Sequence, residues 1–328
     1  MAVDSIQEVF NAFTKLKVLV IGDSMIDTYI HGVVNRISPE APVPIVNVLK
    51  ETNSLGGAAN VALNLTSLGA GVILCTVCGK DAAGDDLIAL MSHHALSAEG
   101  VLRSDRPTTI KKRIMSGSNY LIRVDHENAE LLPEDESLDF TDLILTKLDQ
   151  VDLVIFEDYD KGAIGLQLIE KVTAAARAKN IPVAVDPKFR NFNDYKGVSL
   201  FKPNLAEFNR GTQSHTGGVL ERAKYLREKL HFDHLLLTQS SQGVFYYSES
   251  DSGTISAQIR EVSDVSGAGD TVIAIAGLTL ALGLPIRFIS ELANLGGGIV
   301  CEYPGVIPVS KDRLLSEAGS TLTLPTFK

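Results

Sequence analysis

The chain has 328 residues, 45% of them hydrophobic and 21% charged, the composition of an ordinary soluble globular protein. A formal net charge of -10 argues against nucleic-acid binding as a principal role, which needs basic surface, but leaves room for a small anionic ligand held by a few Arg and Lys. The three cysteines, Cys75, Cys78 and Cys301, are sparse enough to point to a reducing compartment.

Ser5-Ile6-Gln7-Glu8 is a capping-box pattern, and Ile6, Val9, Phe10, Phe13 and Leu16 follow at helical spacing. This predicts an amphipathic helix, not a signal peptide, which needs a basic start and a continuous apolar core, so a cytoplasmic protein is expected. Short apolar runs come next, each ending in a polar residue: Val18-Leu19-Val20-Ile21 before Gly22-Asp23, Leu153-Val154-Ile155-Phe156 before Glu157-Asp158, Val183-Ala184-Val185 before Asp186-Pro187-Lys188, and Leu235-Leu236-Leu237 before Thr238. Runs without polar alternation suit strands buried on both faces of a parallel sheet. Helical patterns over 58–68, 165–179 and 218–230 separate them, and this βαβα order predicts an α/β, doubly wound fold with helices on both faces. The polar strand ends mark the edge where such sheets bind ligands.

Two segments break the alternation. Residues 29–50 hold Pro39, Pro42 and Pro44 together with Val43, Ile45, Val46 and Val48, and residues 107–124 read as a hairpin turning near Gly117. Together they predict a small β-sheet lid inserted into a single domain over 1–328. Cys75-Thr76-Val77-Cys78 sits within an apolar, strand-like run, which favours packed thiols over a redox or zinc pair. The longest apolar stretch, 271–286, contains Gly277, Gly283 and Pro285 and is shorter than the ~20 residues that span a bilayer, so a buried helix and no membrane contact are expected.

No G-x-x-x-x-G-K-[ST] and no strand-borne G-x-G-x-x-G occurs, so a phosphate cradle has to come from elsewhere. The best candidate is Ser266-Gly267-Ala268-Gly269-Asp270, which runs into an apolar helix. Glycines allow close backbone approach, a helix N-terminus favours anions, and Asp270 is either a helix cap or a carboxylate that takes a proton. Gly56-Gly57-Ala58-Ala59-Asn60 also opens a helix, either as a tight turn or as a place where Asn60 meets hydroxyls. Asp23 and Asp27 are turn residues or sugar-hydroxyl acceptors. Asn204 and Glu207, three apart, share a face as a solvated helix start or as a pair that orients water on Mg²⁺. Lys111 and Arg113 point to one face of a strand with Arg123 on the returning strand, a solvated face or a phosphate clamp.

In this order, the Gly-Asp strand end, the Gly-Gly-x-x-Asn helix start, the Asn-x-x-Glu and the Gly-Ala-Gly-Asp resemble the ribokinase-like (PfkB) family of carbohydrate kinases over nearly the whole chain. Arg36-Ile37-Ser38-Pro39-Glu40-Ala41-Pro42-Val43-Pro44, Asp158-Tyr159-Asp160-Lys161-Gly162, Asp186-Pro187-Lys188 and the lid cations are similar to its heptose 7-phosphate kinase branch. The resemblance implies ATP and Mg²⁺, with a monovalent cation allowed, and a phosphorylated sugar as acceptor. It implies that Asp270 is the general base and Gly267, Ala268 and Gly269 the anion hole. Asp23, Asp27, Gly56, Gly57, Asn60, Lys111, Arg113 and Arg123 would hold the sugar phosphate. Lys188, Asn204, Glu207, Thr238, Ser240, Gly243, Gly269 and Asn294 would line ATP, with Asn204 and Glu207 serving Mg²⁺ through water. The branch is often fused to an adenylyltransferase domain, and 328 residues are expected to hold the kinase domain without it. An exposed edge on the small sheet suits a homodimer. Residues 239–242 (Gln-Ser-Ser-Gln), Asn119-Tyr120 and Tyr303-Pro304-Gly305-Val306 depart from the family pattern.

Overall fold

The structure, a computed structural model, describes residues 5–117 and 119–324. Helix α1 (Ile6–Phe13) starts at Ser5, whose hydroxyl accepts from the Glu8 N–H. There follow β1 (Lys17–Gly22), β2 (Ser24–Ile37), β3 (Pro44–Gly57), α2 (Ala58–Ser67), β4 (Gly71–Gly79), α3 (Ala82–His93), β5 (Val101–Ser104), β6 (Ile110–Ser116) and β7 (Asn119–His126). Next come α4 (Glu134–Leu145), β8 (Leu153–Glu157), α5 (Leu166–Ala178), β9 (Val183–Asp186), β10 (Leu200–Phe201), α6 (Leu205–Gly211), α7 (Val219–Leu230), β11 (His234–Thr238), β12 (Val244–Tyr247) and β13 (Ser252–Ile255). Helices α8 (Ala268–Ala281), α9 (Ile286–Val300) and α10 (Lys311–Thr321) close the chain.

Nine strands form one sheet in the order β13-β12-β11-β10-β9-β8-β1-β4-β5, parallel except at β12 and β13. The buried runs alternate between its faces. Val18, Val20, Leu153, Ile155, Ala184 and Leu200 pack under α1, α2, α3 and α8–α10, while Leu19, Ile21, Val154, Phe156, Val185 and Phe201 pack against α4–α7. The C-x-x-C run divides the same way. Cys75 lies in one layer and Cys78 in the other, so the two thiols face apart, and burial pushes that of Cys75 up to about 12.

A second sheet, of four strands in the order β3-β2-β6-β7, forms the expected lid. It is larger than the sequence pattern suggests: β2 and β3 pair from Ser24↔Gly57 to Ile37↔Pro44, so the lid grows directly out of the strand-end Asp23 and the helix-start Gly57. Gly57 makes that junction. Its φ is 61°, and a Cβ there would sit 2.3 Å from the Asp23 carbonyl oxygen, so only glycine lets β3 turn into α2 this close to β1.

Candidate active site

Strand β1 has β4 and β5 on one side and β8–β11 on the other, so the chain reverses direction across the sheet between β1 and β8. A crevice opens at the carboxyl ends of strands at such a point. There the Asp23 N–H donates to the Glu157 carbonyl at 3.2 Å. Glu157, Asp186 and Lys202 continue the sheet face that Ile155, Ala184 and Leu200 begin, the face covered by α8. Lys202 Nζ lies 2.6 Å from Asp186 Oδ2. Glu157 is fully buried, and among the described residues neither carboxylate oxygen has a hydrogen-bond partner. Burial, with the nearby Asp186 and Asp270 charges, pushes its carboxyl well above the usual range. Glu157, Asp186 and Lys202 show in the sequence only as charged residues that end apolar runs, a signal that marks the sheet edge without assigning a role.

Helix α8 begins directly above this floor. Gly267 caps it at φ 79°, and a Cβ on Gly267 would meet Asn60 Nδ2 at 2.8 Å. The Ala268 N–H reaches Val265 O at 3.3 Å and the Thr271 N–H reaches Gly267 O at 3.0 Å. The N–H groups of Gly267, Gly269 and Asp270 have no backbone partner among the described residues, and a helix N-terminus of this kind is suited to an anion. Gly269 sits over the floor: a Cβ there would lie 3.7 Å from Asp186 Oδ2 and 3.9 Å from Lys202 Nζ.

Asp270 is buried at the third position of α8. Asn60 Nδ2 donates to its Oδ2 at 2.6 Å and the Tyr159 hydroxyl donates to its Oδ1 at 2.8 Å. Burial raises its pKa, while the Asn60 and Tyr159 bonds hold it down. Its side chain therefore accepts from two side chains distant in sequence, and among the described residues it caps no backbone group. Asn60 itself is completely buried, with its side-chain amide turned to Asp270.

Asp23 is likewise committed. Its Oδ2 accepts from the N–H groups of Tyr159 at 2.9 Å and Lys161 at 3.0 Å, and its Oδ1 from that of Ala163 at 3.0 Å. Asp158 fixes the same loop from below, accepting from Asp160 N–H, Asn191 Nδ2 and the Tyr195 hydroxyl, and burial raises it to about 6. The Asp-Tyr-Asp-Lys-Gly segment is thus a preformed loop that presents Tyr159 to Asp270.

The lid faces this centre. Register pairs Asp27 with Lys111, Tyr29 with Arg113, and Arg113 with Arg123, so the three cations lie on one face of the small sheet. They are not equivalent. Arg113 is ion-paired with buried Asp27 and stacks over the Tyr29 ring, and Arg123 pairs with Asp125 at 2.9 Å. Lys111 has no salt-bridge partner among the described residues; its Nζ lies 5.0 Å from the Tyr159 ring centroid, and burial lowers its pKa. Gly56, opposite Met25 near the end of β3, lies against Asp27: a Cβ there would sit 2.1 Å from Asp27 Oδ2. Asp264 ties the lid to the anion loop, accepting from the Tyr120 hydroxyl at 2.8 Å, from the Ser266 N–H at 2.9 Å, and from the Gly305 N–H at 3.2 Å.

On the other side, Asn204 and Glu207 form a reciprocal capping box at the start of α6. Glu207 Oε1 also holds Lys188 Nζ at 2.6 Å. Burial works against the Lys188 charge, but Asp186 and Glu207 hold it above the usual lysine range. Thr238 ends β11 and bridges to Asn204, Ser240 and Gly243 turn the chain with φ of 52° and 93°, and Asn294 on α9 donates to Ser256 O at 3.0 Å. Among the described residues no helix is long and apolar enough to cross a membrane.

The model of the pfkB family of carbohydrate kinases matches residues 15–313. The chain is 39% identical over 313 residues to the bifunctional protein HldE of Hydrogenovibrio crunogenus, covering 94% of this chain and 64% of that one. It is also 39% identical over 307 residues to a D-beta-D-heptose 7-phosphate kinase of Bordetella bronchiseptica, covering 93% of this chain and 96% of that one. Among solved structures, Escherichia coli phosphofructokinase-2 in complex with substrates and products superposes with a TM-score of 0.77 at 16% identity, covering 94% of this chain and 99% of that one. Thermotoga maritima ribokinase gives 0.70 at 17%, covering 92% and 98%. The chain therefore belongs to the pfkB carbohydrate kinase family, with the ribokinase-like fold.

Proposed function

We propose that the protein transfers the γ-phosphoryl group of ATP to the anomeric hydroxyl of D-glycero-β-D-manno-heptose 7-phosphate, giving the 1,7-bisphosphate on the way to ADP-heptose and lipopolysaccharide. The observation that carries this reading is Asp270, a buried carboxylate beside the glycine-rich N-terminus of α8 and under a lid with cations on its inner face. The relative named D-beta-D-heptose 7-phosphate kinase supports the choice of sugar.

Asp270 takes the proton of the acceptor hydroxyl as its oxygen attacks the γ-phosphorus. The free N–H groups at the start of α8 stabilise charge on the moving phosphoryl group, and Lys188 and Lys202 stand on the side where the phosphates of ATP would lie. Lys111 and Arg113 hold the sugar phosphate, and the lid excludes water. The carboxylates of Glu207 and Asp186 are hard oxygen donors that suit Mg²⁺; each already carries a lysine, so they would hold it through its waters, and the metal would neutralise phosphate charge. The apolar outer lid face, with exposed Ile122 and Val124, suits a second copy of the chain, and a cytoplasmic homodimer completes the reading.

ADP release is the deciding assay, with heptose 7-phosphate, fructose, ribose and adenosine offered in parallel, with and without potassium. Release with the heptose phosphate alone supports the proposal; release with none favours a silent sugar- or nucleotide-binding protein. Lys111→Ala is expected to raise the KM for the sugar phosphate about 10-fold or more, the worth of one charge-assisted bond, and to leave a dephosphorylated analogue little changed. Equal effects on both would remove Lys111 from phosphate binding. The pH profile provides a further check. Asp270 must be ionised to act, so kcat/KM should fall as pH drops through its raised pKa, above the ordinary aspartate value. Asn60→Ala removes a bond that favours the ionised form, so its acid limb should move to higher pH; an unmoved limb would dissociate Asn60 from the base.

A further inference from the structure

We propose that Tyr159 gates the base: its phenol hydroxyl occupies the position on Asp270 Oδ1 that the acceptor hydroxyl must take, and it yields when both substrates are bound. The inference rests on the kinase reading above. A group that gives its proton to Asp270 has to approach within ~2.6–3.2 Å of a carboxylate oxygen, and the Tyr159 hydroxyl already stands at 2.8 Å from Oδ1 while Asn60 holds Oδ2. Two ammonium groups lie over the Tyr159 ring, Lys111 Nζ at 5.0 Å and Lys188 Nζ at 5.1 Å from its centroid. Lys111 belongs to the lid and Lys188 to the side that carries the capping box, so one cation comes from each substrate's side. An ammonium that turns to a phosphate gives up its hold on the ring. The Tyr159 backbone stays fixed by its N–H bond to Asp23, so only the side chain has to rotate.

The rotation frees Oδ1. The sugar hydroxyl then donates its proton there while its oxygen bonds to the γ-phosphorus, and the bond to the ADP oxygen breaks with its electron pair leaving on ADP. Water in the same place would undergo the same step and give phosphate and ADP, so a closed gate prevents ATP hydrolysis without sugar.

Tyr159→Phe keeps the ring and both cations and removes the hydroxyl. Sugar-free hydrolysis of Mg²⁺-ATP is expected to rise about fivefold and the KM for the sugar phosphate to fall by a similar factor, the worth of one net hydrogen bond. A lower kcat with unchanged KM and unchanged hydrolysis would make Tyr159 a mere support for Asp270 and overturn the gate, as would no change at all. Lys111→Met, which keeps the hydroxyl but loosens the ring, should also raise sugar-free hydrolysis; the wild-type rate in both variants, with thermal melts showing both folded, overturns the proposal. If the wild-type protein phosphorylates no sugar phosphate, the kinase reading fails, and the sugar-free arm still judges the gate.

Discussion

Asp270→Asn is expected to lower turnover by about 10²–10⁴ while leaving ATP affinity within about twofold. The substitution preserves shape and removes the carboxylate proposed to accept the proton. It also removes a buried charge whose ionisation burial disfavours, so the thermal midpoint should not fall in step with activity. One partner has to adjust: Asn60 and Tyr159 both donate to the carboxylate, and an amide offers a single oxygen. Single-turnover phosphoryl transfer beside a nucleotide-binding titration separates the two effects. Near-normal turnover would remove Asp270 as the base.

Asp23→Ala is expected to cost about 3 kcal/mol of stability, and activity with it. Three backbone N–H groups of the 159–163 loop converge on that one carboxylate. Burial raises the Asp23 pKa in spite of them, so the bonds mainly offset desolvation. The cost of the variant arises when the donors are orphaned, at about 1 kcal/mol or more for each. Urea midpoints at matched slopes measure it. A loss under about 1 kcal/mol would mean that the loop stands without Asp23.

Much of the frame was readable because buried parallel strands give unbroken apolar runs, and each run named in the sequence is a strand of the large sheet. The helix that Gly267 caps and the hairpin around Gly117 were readable for similar local reasons. The lid's true extent was not: β2 runs for 14 residues, starting at Ser24, and its first half is buried without marking itself off from the preceding strand. Side-chain roles were harder still. Asn60 and Asp23 were recognisable as polar residues at a strand end and a helix start, but their partners, Asp270 and the backbone of another loop, are set only by tertiary packing. Lys111 and Arg113 share a face as their spacing requires, yet Asp27, which neutralises Arg113, sits on a strand far away in sequence. Glu157 gave no local sign that its carboxylate would lack hydrogen-bond partners among the described residues.

Separation along the chain also governs when the centre can exist. Asn60 and Asp270 are 210 positions apart, and Asn64 and Thr271, which bond just behind them, are 207 apart. Closing loops of that length costs entropy that local contacts do not return, and such pairings form late. On the ribosome, the amino-terminal half emerges with α2 presenting Asn60 and Asn64 to nothing, and Asp270 arrives only with α8. Phosphoryl transfer is thus a report on the docking of the two halves, and a nascent or truncated chain lacking α8 would be catalytically inert however well its first strands had paired.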